Sequence, residues 1–167
     1  RCHCDFSALA CMAYKTKSSR CGDMSWMLTV GVCLQWASTL PAPVTFIPTK
    51  DFTLAWQHSI EKVRWEEDYH IEQSQHDRPP LLRVGLARVQ GSAAGMEPPP
   101  NAKWRAGWYE YQPEPSHQPF LALMRSEYTA DYEWCEQNQC RPLADYLPSD
   151  GGVTQLSPCQ HGAWVRH

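Results

Sequence analysis

The sequence predicts an all-β protein, a small antiparallel β-sandwich or partly open barrel that follows a signal-like or anchor segment. Two neighbouring segments, 51–60 and 65–71, alternate apolar and polar residues, as half-buried strands do. The 167 residues include 8 Trp, 7 Tyr and 14 Pro. Long stretches rich in Ala, Leu, Glu and Lys are missing, so the composition favours strands and loops over helices.

The two alternating segments form a predicted hairpin that brings a histidine next to a carboxylate. With residues 61–64 as the loop, His58 faces Glu67 on the apolar side of the pair. An imidazole opposite a carboxylate on a half-buried face forms a charge-assisted hydrogen bond. The other predicted pairs are Ile60 with Trp65, Trp56 with Tyr69, and Leu54 with Ile71.

Two interpretations of this pair stay open. It is a structural contact that holds the hairpin, or it belongs to a functional site, since both arrangements perturb pKa values. The register is also open, because the loop Glu61-Lys-Val-Arg64 has no Gly, Asn or Pro to define a turn type. A slip of one residue would bring Glu66 to the apolar face in place of Glu67.

Further strands follow along the chain. A third strand is predicted at 81–89, with Leu82, Val84 and Leu86 on one side. The small-residue turn 91–95 comes next and permits a close approach of the backbone to a strand or a ligand. Three more strands are predicted at 104–111, 120–125 and 131–135.

Eight cysteines favour an oxidising compartment if the chain is exported. Cys135 and Cys140 bracket a four-residue loop, as cysteines at the mouth of a hairpin do, and we expect a disulfide there. Closing so short a loop contributes about 2 kcal/mol. The sequence assigns no role to the others: Cys2, Cys4, Cys11, Cys21, Cys33 and Cys159.

The two ends lie outside the predicted β-domain at 51–147. Residues 1–23 look like an upstream segment, and 24–42 resemble a signal peptide or anchor. The apolar run 26–37 is shorter than the roughly 20 residues of a membrane span and fits a signal-peptide core. Its alternative interpretation is a buried core helix. Residues 148–167, rich in Gly, Ser, Pro and Gln, predict a flexible tail.

The charge and the motifs exclude several functional classes. A formal charge of -3 and a pI near 6.2 argue against nucleic acid as the main partner. No nucleotide-binding loop, zincin motif or Gly-x-Ser-x-Gly elbow is present. We expect no catalytic residues, no metal site and no cofactor.

Six motifs stand in a specific order along the chain: Phe52-Thr-Leu-Ala-Trp-Gln-His-Ser-Ile-Glu-Lys62, Trp65-Glu-Glu-Asp-Tyr69, Gly91-Ser-Ala-Ala-Gly-Met-Glu-Pro-Pro-Pro100, Gly107-Trp108, Thr129-Ala-Asp-Tyr132 and Cys135–Leu143. Over about 51–143 they resemble those of a bacterial family, domain of unknown function 1850. The resemblance implies a small exported protein associated with a tripartite ATP-independent periplasmic (TRAP) transporter, with no established activity. The implied partner is a membrane subunit or a TAXI-class solute receptor. The implied location is the periplasm, with anchoring to the inner membrane as a variant.

Three functions follow. The first is an accessory or interaction module of such a transporter. The second is a metal-dependent or acid–base enzyme that uses His58 with Glu66 or Glu67. The third is a purely structural exported β-domain. The candidate ligand- or partner-binding residues are His58, Glu61, Lys62, Glu66, Glu67, Gly91, Ser92, Gly95 and Met96.

Overall fold

The chain folds as two antiparallel sheets, which confirms the all-β prediction and is consistent with a β-sandwich. In the computed structural model, the described residues are 24–38, 43–60, 62–73, 78–91 and 99–166, and for 24–27 and 163–166 only the backbone is described. Over these ranges there are twelve strands, one turn of 3-10 helix at Leu143–Asp145, and no α-helix.

The strands, in chain order, are β1 (Met24–Trp36), β2 (Thr45–Ile47), β3 (Asp51–Gln57), β4 (Arg64–Glu72), β5 (Leu81–Gln90), β6 (Lys103–Arg105), β7 (Trp108–Tyr111), β8 (His117–Gln118), β9 (Leu121–Met124), β10 (Glu133–Glu136), β11 (Gln139–Pro142) and β12 (Val153–Arg166). The smaller sheet has the order β2-β1-β12-β9. The larger sheet has the order β11-β10-β3-β4-β5-β7-β6, and β8 also pairs with β5.

The hydrophobic core lies between the sheets and follows from the period of two along each strand. Phe52 and Leu54 on β3 and Ile71 on β4 are buried on one side, and Leu34 on β1 and Leu156 on β12 are buried on the other. Alternate residues on these strands thus supply the two inner faces. The remaining core residues are Val30, Val32, Ile47, Tyr69, Leu82, Val84, Leu121, Leu123, Trp134, Leu143 and Leu147.

The predicted domain limits of 51–147 are too narrow, because both ends of the chain contribute a core strand. The segment predicted as a signal peptide or anchor, 24–42, contains β1, in which Val32 and Leu34 are completely buried. Its apolar residues are therefore buried in the core, as the alternative interpretation of a buried core helix requires, although they lie in a strand and not in a helix. Residues 1–23 lie outside the described residues.

The prediction of a flexible tail at 148–167 is wrong for most of that range. Val153–Arg166 form β12, which pairs with β1 over thirteen residues from Met24–Arg166 to Trp36–Thr154. A disulfide joins Cys33 on β1 to Cys159 on β12. The polar residues of this segment do not distinguish a loop from a strand, because the outward-facing residues of a strand are polar too.

An irregularity in β5 changes the side on which Leu86 lies. The pairing of β5 with β4 shifts between Glu67–Ala87 and Tyr69–Val84, which marks a β-bulge. Beyond the bulge the buried residues are Ala87 and Val89, while Leu86 lines the outer face. The predicted strand 104–111 is likewise two strands, β6 and β7, joined by a turn at residues 106–107.

Arg125 connects the end of β9 to the rest of the domain. Its side chain is only 1% exposed. The guanidinium donates two hydrogen bonds to the carboxylate of Asp131, from Nε at 2.8 Å and from Nη2 at 2.6 Å. Its Nη1 donates to the carbonyl of Leu147 at 2.8 Å and to Oγ1 of Thr154 at 3.2 Å. A buried cation with this set of acceptors is a structural element.

The disulfides indicate the environment in which the chain folds. The predicted bond between Cys135 and Cys140 is confirmed, and Cys33–Cys159 is a second one. Two disulfides suggest an oxidising, extracellular environment. Within the described ranges, no helix has the length and the apolar character needed to cross a membrane.

Candidate functional site

The predicted contact between His58 and Glu67 is wrong, because the hairpin of β3 and β4 has another register. Glu67 lies opposite Leu54, and the last pair before the turn is Gln57 with Arg64. The turn therefore spans 58–63 and not 61–64. Along a strand, His58 and Leu54 differ by four positions, or about 13 Å at ~3.3 Å per residue. A register shift by an even number of residues leaves each side chain on the same face of the sheet, so Glu67 still points towards the core.

His58 and Lys62 belong to the turn. The amide of His58 donates to the carbonyl of Val63 at 2.9 Å, and the amide of Lys62 donates to the carbonyl of His58 at 3.0 Å. The imidazole ring stacks on Trp65, with 5.9 Å between ring centroids. Gly91 ends the neighbouring strand with φ +76 and donates its amide to the carbonyl of Gly107 at 2.9 Å. The four remaining candidates lie outside the described residues: Glu61, Ser92, Gly95 and Met96.

Glu66 lies on the opposite, outer face of β4, in a ladder of ion pairs. Its carboxylate accepts hydrogen bonds from Nε of Arg64 at 2.8 Å and from Nε of Arg88 at 3.1 Å. Arg88 continues the ladder with two bonds to Asp68, and Arg64 with one to Glu133. Each charge in this ladder has a partner of opposite sign, so Glu66 stabilises the outer face of the sheet. It does not share a site with Glu67.

A groove of about 610 Å³ lies beside this ladder, and most of its charged groups are likewise paired. Nδ1 of His70 lies 2.5 Å from Oδ1 of Asp51, and the hydroxyl of Thr53 donates to Asp68 at 2.7 Å. These side chains of the groove therefore already satisfy one another.

The inner face of the same strands opens into a cleft of about 740 Å³ between the sheets. One wall comes from β3 and β4 with Tyr132, which precedes β10. The other wall comes from β9 and the segment that leads into it. The residues around the cleft are Leu54, Trp56, Glu67, Tyr69, Pro115, His117, Gln118, Pro119, Phe120, Leu121, Ala122, Leu123 and Tyr132.

Glu67 is the carboxylate of this cleft. Its Oε2 accepts a hydrogen bond from the hydroxyl of Tyr69 on the same strand. Burial raises the pKa of the Glu67 carboxyl above its ordinary value of 4.5, and the Tyr69 hydrogen bond only partly opposes this effect. No Lys or Arg is present among the described residues that line the cleft. The carboxyl therefore lies in an environment that does not compensate its charge.

Three tyrosines lie close enough to this carboxyl to feel its charge, and Tyr69 is the one that donates a hydrogen bond to it among the described residues. Burial is the main cause that raises the pKa of Tyr69, Tyr111 and Tyr132, and the negative charge of Glu67 raises each of them further. A phenol with a raised pKa keeps its proton at neutral pH. The tyrosines can therefore donate hydrogen bonds but do not act as bases.

Aromatic rings form much of the inner wall. Trp56 lies 5.7 Å from Tyr132 and 5.9 Å from Trp65, measured between ring centroids. Tyr69 stacks on Phe52 at 5.3 Å. Nε1 of Trp65 is buried without a hydrogen-bond partner among the described residues. This end of the hairpin thus combines π-faces with polar groups that are not fully satisfied.

A cluster with metal-ligand atoms lies elsewhere. Glu133, Cys135 and Cys140 bring a carboxylate oxygen and two sulfurs within 4.8 Å of one another. Because the two sulfurs are bonded to each other, the thiolates that a soft metal needs are not present. The cluster is therefore part of a cross-linked hairpin, and its remaining ligand group, the Glu133 carboxylate, already binds Arg64.

Glu67 was predicted as a site residue from the sequence, whereas most of the residues around it were not. Strand alternation placed Trp56 and Tyr69 on the same face as Glu67 but did not mark them as site residues. Tyr132 and Phe120 reach the cleft from distant parts of the chain, and no local pattern predicts their position.

Comparison with known proteins supports one assignment. Residues 52–143 match the family model "Domain of unknown function (DUF1850)". That range includes the hairpin, Phe120, Tyr132 and the Cys135–Cys140 bond, whereas β1, β2 and β12 lie outside it. Neither a curated protein nor a solved structure matches the chain. Because the match covers more than half of the sequence, the chain belongs to the DUF1850 family.

Proposed function

We propose that this protein is an exported binding module that acts beside a TRAP solute transporter and has no catalytic activity of its own. The observation that carries the proposal is the cleft between the sheets, in which one carboxyl lies among aromatic rings. A concave, mostly apolar site with few polar groups is the usual form of a small-molecule site. The periplasm is the proposed location, which fits two disulfides.

The geometry favours binding over the catalytic alternative. His58 lies in the turn, four residues beyond Leu54, which is the residue opposite Glu67. Glu66 faces the other side of the sheet. The cleft also contains His117, but its ring nitrogens lie 3.0 Å from Oγ of Ser116 and 3.1 Å from Oε2 of Glu72. No Ser, Thr, Cys or Lys nucleophile occurs among the described lining residues. The three predicted acid–base residues therefore do not form one site.

The turn at the end of β3 is the proposed contact with the transporter. His58 and Lys62 lie in it, and Ile60 at its tip is 79% exposed. An exposed aliphatic side chain beside a basic residue suits a protein surface that combines apolar and acidic groups. The partner itself, a TRAP membrane subunit or a TAXI-class solute receptor, is proposed from the family resemblance.

The test is a crosslinked affinity purification of the C-terminally tagged protein from its own cell envelope, with mass spectrometry of the recovered proteins. We expect a TRAP membrane subunit or a solute receptor. Ile60→Asp should reduce its recovery several-fold. Tyr128→Asp is the matched control, because Tyr128 is equally exposed, at 88%, in a different loop. Recovery of the folded protein alone in good yield would contradict the transporter role.

A further inference from the structure

Glu67 differs from the other carboxylates of its strand because it has no cationic partner among the described residues. Glu66 is bound by Arg64 and Arg88, and Asp68 is bound by Arg88. Glu72 at the end of the strand is bound by Arg83 at 2.7 Å. Glu67 instead accepts one hydrogen bond from a neutral phenol. A carboxylate that is partly removed from water without a counter-charge costs free energy, which a bound cation would offset.

The side chains beside this carboxyl include aromatic rings, which attract organic cations. Trp56, Tyr69 and Tyr132 are on the inner wall with Glu67, and Phe120 lies on the opposite wall. The faces of such rings carry negative potential, and an ammonium group placed over them is attracted more strongly when it is desolvated. A volume of about 740 Å³ also falls within the usual range of small-molecule sites.

We propose that the cleft between the sheets binds a small organic ammonium compound, with Glu67 as its counter-ion and the Trp56 and Tyr132 rings against its alkyl groups. The inference rests on the proposed binding role and names the ligand class. A calcium ion fits poorly, because calcium takes about six to eight oxygen ligands, mostly from the protein, and the cleft supplies one carboxylate. An anion fits poorly too, since the charge already present in the cleft is negative.

The raised pKa of Glu67 agrees with this assignment. Desolvation is its main cause, and an ammonium ligand would favour the ionised carboxylate and reverse the shift. Tyr69 supports the carboxylate as a hydrogen-bond donor in both states. His117, the other titratable group on the opposite wall, is already engaged by Glu72.

The test uses the whole chain with its disulfides intact and two pairs of probes. Choline is compared with its uncharged carbon isostere, dimethylbutanol, and butylammonium is compared with butanol. Binding is measured by calorimetry and by Trp fluorescence, because Trp56 lines the cleft. We expect an ammonium probe to bind with a Kd of about 1 mM or tighter, and the uncharged isostere to bind at least about tenfold more weakly. This comparison needs no variant.

Two variants then locate the site. Glu67→Gln keeps the size of the side chain and an acceptor for Tyr69 but removes the charge, and it should weaken ammonium binding about tenfold or more. Glu66→Gln changes the adjacent residue on the outer face and should leave the affinity within about twofold. Thermal melting of each variant shows that it is folded.

The outcomes separate this inference from the proposed function. No ammonium binding to folded wild-type protein, equal binding of the isosteres, or undiminished binding to Glu67→Gln would each overturn the ligand class. None of these results affects the recovery of a transporter subunit. Conversely, ammonium binding together with an empty affinity purification would leave the cleft assigned and remove the transporter role.

Discussion

The carboxylate of Glu67 accepts a hydrogen bond from the hydroxyl of Tyr69, two residues further along the same strand. Both side chains point between the sheets because residues i and i+2 share a face. Tyr69 is buried in the core, so its hydroxyl has few other partners. The pair therefore satisfies a buried phenol and at the same time holds the carboxyl at the edge of the cleft.

Replacing Glu67 with Gln should raise the free energy of unfolding at pH 7 by about 0.5–2 kcal/mol. The folded protein binds this proton more tightly than the unfolded chain, whose pKa is near 4.5. The stability contributed by the neutral carboxyl is therefore present at low pH and is lost as the pH rises through the folded pKa. Gln cannot ionise, so the variant does not lose this stability as the pH rises. Urea denaturation at pH 4 and pH 7 measures both values.

The control for this prediction is Glu66→Gln, which should lower stability at pH 7 because Arg64 and Arg88 lose their partner. A lower stability of the Glu67 variant at pH 7, with an unchanged dependence on pH, would show that Glu67 is ionised and well solvated in the folded protein.

Arg125→Met should lower the free energy of unfolding by about 3–5 kcal/mol. The substitution leaves the Asp131 carboxylate without its cation and the Leu147 carbonyl without its donor. Arg105→Met is the matched control, because the Arg105 side chain is 67% exposed beside Glu110, and its effect should stay within about 0.5 kcal/mol. Equal effects of the two substitutions in urea denaturation would contradict the structural role of Arg125.

The two disulfides should contribute unequally. Cys33–Cys159 spans a sequence separation of 126 residues, and Cys135–Cys140 spans 5. Loop-closure entropy then gives about 5 kcal/mol for the first bond and about 2 kcal/mol for the second. Denaturation of the paired Cys→Ser variants measures the difference, and mass spectrometry of peptides from the unreduced protein verifies the pairing. A Cys135–Cys140 variant that loses more stability than the Cys33–Cys159 variant would contradict this order.

Gly31→Ala should destabilise the protein by about 1–3 kcal/mol. A Cβ atom at this position would lie 2.3 Å from the carbonyl oxygen of Ile47 and 2.6 Å from the Phe46 ring. The backbone of β2 would have to shift, and Phe46 would lose its stacking on His161. Gly152→Ala is the control, since its nearest contact is the flexible side chain of Asp150 at 3.3 Å. Thermal melting compares the two, and equal melting temperatures would show that β2 does not pack over Gly31.

The sequence predicted the faces of the first two strands but not how they pair. Trp56, Glu67 and Tyr69 lie on the inner side, as the alternation indicates. The register was wrong by four positions because the turn has no Gly, Asn or Pro, and Lys62 instead takes a positive φ of 55. An even error preserves the faces, so the prediction of an inward Glu67 was unaffected.

The sequence by itself determined the fold class, the inward position of Glu67 and the Cys135–Cys140 bond, because each depends on residues within one strand or one hairpin. Only the tertiary structure decided the pairing of β1 with β12, the Cys33–Cys159 bond and the second wall of the cleft around Phe120. These features join residues far apart in the chain. The side chains that meet there carry no local periodicity, so their contacts follow from how the two sheets pack as a whole.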